Sequence, residues 1–211
     1  MPATSTTRPT SSEKKRAIPV VGIIFAVVAV LAVVAVVFAG TSEPGSEYGD
    51  PTVSGQLTAA PPNVAVDTEA LGEALPAVAG EDFAGDAVKI EDDGNAKAIV
   101  FLAHWCPHCQ NEVPEVQAWL NGGGSVGGVD LYSVSTSMSS GRDNYPASAW
   151  LEREGWTVPL IVDDQDNSVY RAFGSGGFPF WVFVNSDGTV ALRRQGFTPV
   201  DELVTIMESL S

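Results

Sequence analysis

Apolar and polar positions change rhythm three times along this chain. Ala17 to Ser42 carries no charge, and Val20 to Phe38 is apolar throughout apart from Gly22. At about 1.5 Å per helical residue that run nearly matches the ~30 Å hydrocarbon core of a bilayer, which predicts a transmembrane anchor over 17–40. Lys14, Lys15 and Arg16 stand directly before it, while Glu43, Glu47 and Asp50 follow. The basic flank places residues 1–16 in the cytoplasm and everything past the span outside it. A cleaved signal peptide is the rival reading, because Val37-Phe38-Ala39 resembles a small-residue cleavage site, although such apolar cores normally run about 7 to 15 residues.

Past the span the periodicity lapses. Pro44, Pro51, Pro61 and Pro62 alternate with Gly, Ser and Thr, so 41–76 is expected to be an extended tether. From about residue 77 to 211 short apolar runs alternate with helical patterns, enough chain for one domain with a proper core. Strands are expected at Ala87 to Ile90, Ala98 to Ala103, Val129 to Ser135, Pro159 to Val162, Phe180 to Val184 and Val190 to Arg194. Helices are expected at Gln110 to Leu120, Pro146 to Glu154, Ser168 to Phe173 and Val200 to Ser209. Asn185-Ser-Asp-Gly188 reads as a hairpin turn, so the last two strands pair antiparallel, while the strand at 98 feeds a helix and pairs parallel with the next. The fold class is therefore α/β, a mixed central sheet with helices on both faces.

Charge sharpens this division. Residues 1–16 carry a balance of +3 and the remainder −18, together the −15 of the whole chain. A strongly acidic exported part excludes nucleic acid as a partner, since phosphate binding needs clustered Lys and Arg.

The chemistry sits in one place. Cys106 and Cys109 are the only cysteines among 211 residues, and Trp105, Pro107 and His108 surround them. Two cysteines three apart read as a reversible dithiol, not as a structural staple. A structural zinc site normally needs four ligands, and beyond this pair the chain offers only His104 and His108. The apolar run before the pair and the helical pattern after it put Cys106 at a strand-to-helix junction, where unpaired N–H groups favour a thiolate. Cys106 is thus expected to ionise well below about 8.5, with Cys109 facing the helix–sheet packing and keeping its proton longer. A protonated His108 would add positive charge beside the thiolate and favour the reduced dithiol, which makes the disulfide an oxidant. No other cofactor is called for: the disulfide is the redox group. His104 is expected on the surface, Glu112 either on a solvated face or assisting proton transfer, and Trp105 either shielding the disulfide or covering core. Pro114 is expected to kink its helix.

Phe101-Leu-Ala-His-Trp-Cys-Pro-His-Cys109 resembles the active-site strand and turn of the thioredoxin superfamily, and Gln110-Asn-Glu-Val-Pro114 continues it as in the membrane-anchored, extracytoplasmic TlpA/ResA-like branch. Val158-Pro-Leu-Ile-Val-Asp163, Tyr170-Arg-Ala-Phe-Gly174 and Gly177-Phe-Pro-Phe-Trp-Val-Phe-Val184 fall in that branch's order. The resemblance spans roughly 77–211 and implies a thioredoxin fold and thiol-disulfide exchange. It also implies a cis bond before Pro179, with the Phe178 backbone beside the sulfurs to bind a substrate strand.

Direction is the open question. Many thioredoxin-type reductases carry a buried carboxylate six residues before the first cysteine, where this chain has Val100. The Cys-Pro-His-Cys tetrapeptide is similar to that of Dsb-type oxidases. Both point to a disulfide oxidase acting on exported cysteine-containing proteins and re-oxidised by a membrane partner, quinone-linked by family analogy. A reductase of the cytochrome c maturation type and a non-redox tethered module that holds unfolded exported chains remain alternatives.

Overall fold

The computed structural model describes residues 47–211. The span expected over 17–40 and the basic residues 1–16 lie outside the described residues. Among the described residues no helix is long and apolar enough to cross a membrane.

Among the described residues thirteen elements follow one another: β1 (Thr52–Ser54), β2 (Val66–Asp67), β3 (Ala77–Glu81), β4 (Ala87–Ile90), β5 (Ala96–Leu102), α1 (Pro107–Asn121), β6 (Val129–Ser135), α2 (Ala147–Arg153), β7 (Leu160–Val162), α3 (Ser168–Ala172), β8 (Phe180–Val184), β9 (Val190–Gln195) and α4 (Val200–Glu208). Six strands form the central sheet in the order β2-β9-β8-β5-β6-β7. β5, β6 and β7 run parallel, whereas β8 is antiparallel to β5 and β9 to β8, so the sheet is mixed as expected.

β5 is the spine. All seven of its residues are buried, which fits a central strand covered on both faces. Side chains alternate across a strand, and Ala98, Val100 and Leu102 pack with residues of α1, α2 and α4, while Ile99 and Phe101 pack with residues of α3 and of the strands β3 and β4. Helices therefore cover both faces, and the second face is completed by a separate three-stranded sheet, β1-β3-β4. Ala87–Ile90 is a strand as the pattern predicts, but it belongs to this small sheet. β3 escapes the pattern because Gly80 interrupts it. A Cβ at Gly80 would lie 2.8 Å from Ile161 Cγ2, so the close approach of the small sheet to β7 requires glycine there.

β5 also starts two residues earlier than its apolar run. Lys97 is 1% exposed, and its ammonium reaches the Asp93 carboxylate and the Asn95 carbonyl, the latter at 3.1 Å. Its stem lies in the core while its head is paired.

The tether expectation needs correcting over the described part of 41–76. β1 pairs with β3 and β2 pairs with β9, and Leu57 is 2% exposed within the core. These strands are two and three residues long and draw their partners from far along the chain, so no local periodicity announces them.

Candidate active site

β5 ends at Leu102, and a short turn hands the chain to α1. Cys106 is the N-cap residue with extended backbone (φ −79°, ψ 121°), and Pro107 occupies the start of the helix, where its missing N–H costs nothing. α1 thus begins three residues before its apolar pattern does. It runs through Pro114 to Asn121.

The two thiols have opposite environments. Cys109 is 0% exposed and Cys106 7%. The Cys106 thiol is lowered from 9.0 to about 6, first by the hydrogen bond from the Cys109 thiol, against the opposing cost of burial, then by the N–H groups of Cys109 and His108 and by the charge of His108. Burial pushes the Cys109 thiol well up, and the neighbouring Cys106 and Glu112 push it further. The expected asymmetry is present, but the Cys109 thiol stabilises the Cys106 thiolate more than the helix end or His108 does. Pro107 and His108 are both exposed.

The Phe178–Pro179 bond is cis, the geometry the resemblance implies. The Cys106 thiol donates toward the Phe178 carbonyl at 3.6 Å. The Phe178 ring meets Trp105 edge-on at 5.9 Å and stacks on Tyr170 at 4.8 Å. Trp105 packs against the core, its indole N–H donates to the Ser137 carbonyl at 2.7 Å, and the Arg142 guanidinium sits 4.2 Å over its ring.

Two residues lie elsewhere than expected. His104 is not on the surface: it is 0% exposed. Its Nδ1–H donates to the Asp143 carbonyl at 2.7 Å and its Nε2 accepts the Ser139 N–H at 3.1 Å, which ties the turn before Cys106 to the 137–145 loop. Burial is tolerable because both ring nitrogens are satisfied. Glu112 does not lie on a solvated face either, being 1% exposed. Its carboxylate accepts the Trp181 indole N–H and the Thr198 N–H, each at 2.5 Å. Burial raises its pKa from 4.5 to about 7 despite these two bonds. Glu112 follows Cys109 by three residues, one helical turn, so the two share a face of α1. Val100 does leave β5 without a carboxylate, and Glu112 brings one to the buried thiol from the helix side instead. No periodicity in the sequence marks Thr198 as its partner, whereas Trp181 follows from alternation along β8.

Residues 70–208 match the Redoxin family. The chain belongs to that family. It is a thiol-disulfide oxidoreductase of the thioredoxin type. Among solved structures this Redoxin-family chain is similar to a thiol:disulfide interchange protein of the thioredoxin family from Chlorobium tepidum, at 19% identity over 65% of this chain and 94% of that one, with a TM-score of 0.53. The thioredoxin domain of a thiol-disulfide oxidoreductase from Bacteroides vulgatus gives 22% identity, 66% and 96% coverage and a TM-score of 0.51. A secreted disulfide oxidoreductase of Mycobacterium tuberculosis homologous to E. coli DsbE gives 18%, 63% and 95%, and 0.50. These likenesses show a thioredoxin-like fold. No curated protein sequence matches the chain.

Proposed function

We propose that this Redoxin-family chain is an extracytoplasmic disulfide oxidase, held at the membrane by residues 17–40, with Cys106 as the exchanging sulfur and Cys109 as the resolving one. The observation that carries the reading is the split between the two thiols: one is lowered to about 6 at a helix N-terminus, the other is sealed and pushed well up. A stabilised Cys106 thiolate favours the reduced pair, which makes the disulfide the better oxidant.

The chemistry starts from a Cys106–Cys109 disulfide. A substrate thiolate attacks the Cys106 sulfur, forming a mixed disulfide and breaking the bond to Cys109, which leaves with the electron pair. Glu112, titrating near neutrality, is suited to protonate the departing Cys109 sulfur. The substrate's second thiolate then attacks its own bonded sulfur, and the electron pair of the broken bond stays on Cys106. The substrate has lost two electrons and the enzyme has gained them. A membrane-bound oxidant, quinone-linked by the resemblance, removes them again. Substrates are exported proteins with paired thiols, which the Phe178 backbone beside Pro179 would hold as an added strand.

A second reading has one observation in its favour. Because Glu112 supplies the buried carboxylate that Val100 withholds, the same site is equipped to deprotonate Cys109 and run as a reductase. The test is oxidation of a reduced two-cysteine protein by the full-length chain. Cys106→Ser and Cys109→Ser each abolish it, because neither can form the disulfide that the substrate thiolate attacks; Cys106→Ser working at the wild-type rate would refute the assignment.

A further inference from the structure

The segment from Leu57 to Asp67 occupies a slot between the loop after α3 and strand β9. Leu57 N–H donates to the Ala172 carbonyl at 2.8 Å and Ala60 N–H to the Gly174 carbonyl at 2.7 Å. From β9, Arg193 Nη1 donates to the Thr58 carbonyl at 2.6 Å and to the Phe173 carbonyl at 3.1 Å. The approach is so close that a Cβ at Gly174, where φ is +101°, would lie 2.3 Å from Arg193 Nη1 and 2.7 Å from the Thr58 oxygen. The loop held this way runs on directly through Gly176, Gly177 and Phe178 to Pro179.

One side chain joins the segment to that loop. Gln195 Oε1 accepts the Gly177 N–H at 2.8 Å, while its Nε2 donates to the Pro61 carbonyl at 2.9 Å. Its own backbone N–H donates to the Ala65 carbonyl at 2.9 Å. An amide side chain accepts at one end and donates at the other, so it can serve both partners at once. Tyr170 completes the frame, its hydroxyl bonded to the Gly176 carbonyl and its ring stacked on Phe178.

We infer that Gln195 is a positioning residue that couples residues 57–67 to the Gly177–Phe178 backbone, so that the segment before the thioredoxin-like domain sets where a substrate strand docks beside Cys106. The inference rests on the exchange activity proposed above. Gln195 itself touches neither sulfur; it acts through the backbone it holds. The segment therefore contributes to substrate docking and not to thiol reactivity.

Two variants separate the ends of the tie. Q195M removes both bonds at similar volume, and Q195E keeps the acceptor for Gly177 but loses the donor to Pro61. In the full-length protein, both are expected to raise KM for a reduced two-cysteine protein about tenfold, in keeping with the cost of small misplacements, while kcat and Cys106 alkylation stay within about twofold of wild type. Amide hydrogen exchange of residues 176–178 is expected to quicken about tenfold in both, as a lost hydrogen bond allows. Wild-type behaviour of Q195E beside a loosened Q195M would confine Gln195 to the loop and overturn the coupling. Unchanged amide exchange and KM in both would overturn the whole inference. A wild-type chain inert toward thiols would instead defeat the oxidase reading, and amide exchange would still decide the tie by itself.

Discussion

Glu112 carries the largest consequence of any single side chain for the direction of electron flow. Val100 in β5 argues for an oxidase, yet the acid arrives from α1, where its position among helical residues gives no hint that Thr198 closes over it. Because its folded pKa is raised, the folded chain keeps this proton between pH 4.5 and about 7 while the unfolded chain releases it. Stability therefore falls as pH rises through that window, by roughly 3 kcal/mol if Glu112 acted alone. Urea unfolding of Glu112→Gln should show that decline flattened, and mixed-disulfide formation, the step in which Cys109 departs, should slow about tenfold or more in that variant. Cys106 offers a sharper titration. Its alkylation by iodoacetamide should follow a midpoint near 6, and His108→Ala should move that midpoint upward by less than one pH unit, because a single exposed charge is weak in water. The cysteine pair was legible from spacing alone, whereas the order of causes was not: it takes the partner thiol's hydrogen bond, which no sequence displays.

Elements with their own apolar rhythm could be read almost to the residue. β6 and β8 fall where the pattern puts them, and α1 differs by one residue at its end and three at its start, since Cys106 and Pro107 form a cap that carries no periodicity. The elements that escaped are β1 and β2, held by distant partners, β3, which Gly80 interrupts, and the start of β5, where Lys97 is buried. The clearest case is the contact between β2 and β9. Arg193 Nη2 lies 2.5 Å from Asp67 Oδ2, both side chains wholly buried, an ion pair by distance without the alignment of a hydrogen bond. Removing one partner of such a pair leaves a buried charge uncompensated, at a cost of about 3–5 kcal/mol. Asp67→Asn should thus lower the unfolding free energy by that order in urea titration. A change under about 1 kcal/mol would mean that the proline-rich segment packs without depending on the pair.

The chain as a unit combines an uncharged apolar stretch, a strongly acidic remainder and one dithiol on a thioredoxin-like frame. The anchor assignment predicts that the native protein stays with membranes after carbonate extraction, and release of a chain beginning near Gly40 would contradict it. The frame is common to proteins that oxidise and to proteins that reduce, so architecture leaves the direction open and only the energy of the sulfur pair decides it. Equilibrating the Cys106–Cys109 couple against glutathione reads that energy directly. A potential near about −120 mV is the expected result, and a value of about −250 mV or below would contradict an oxidase.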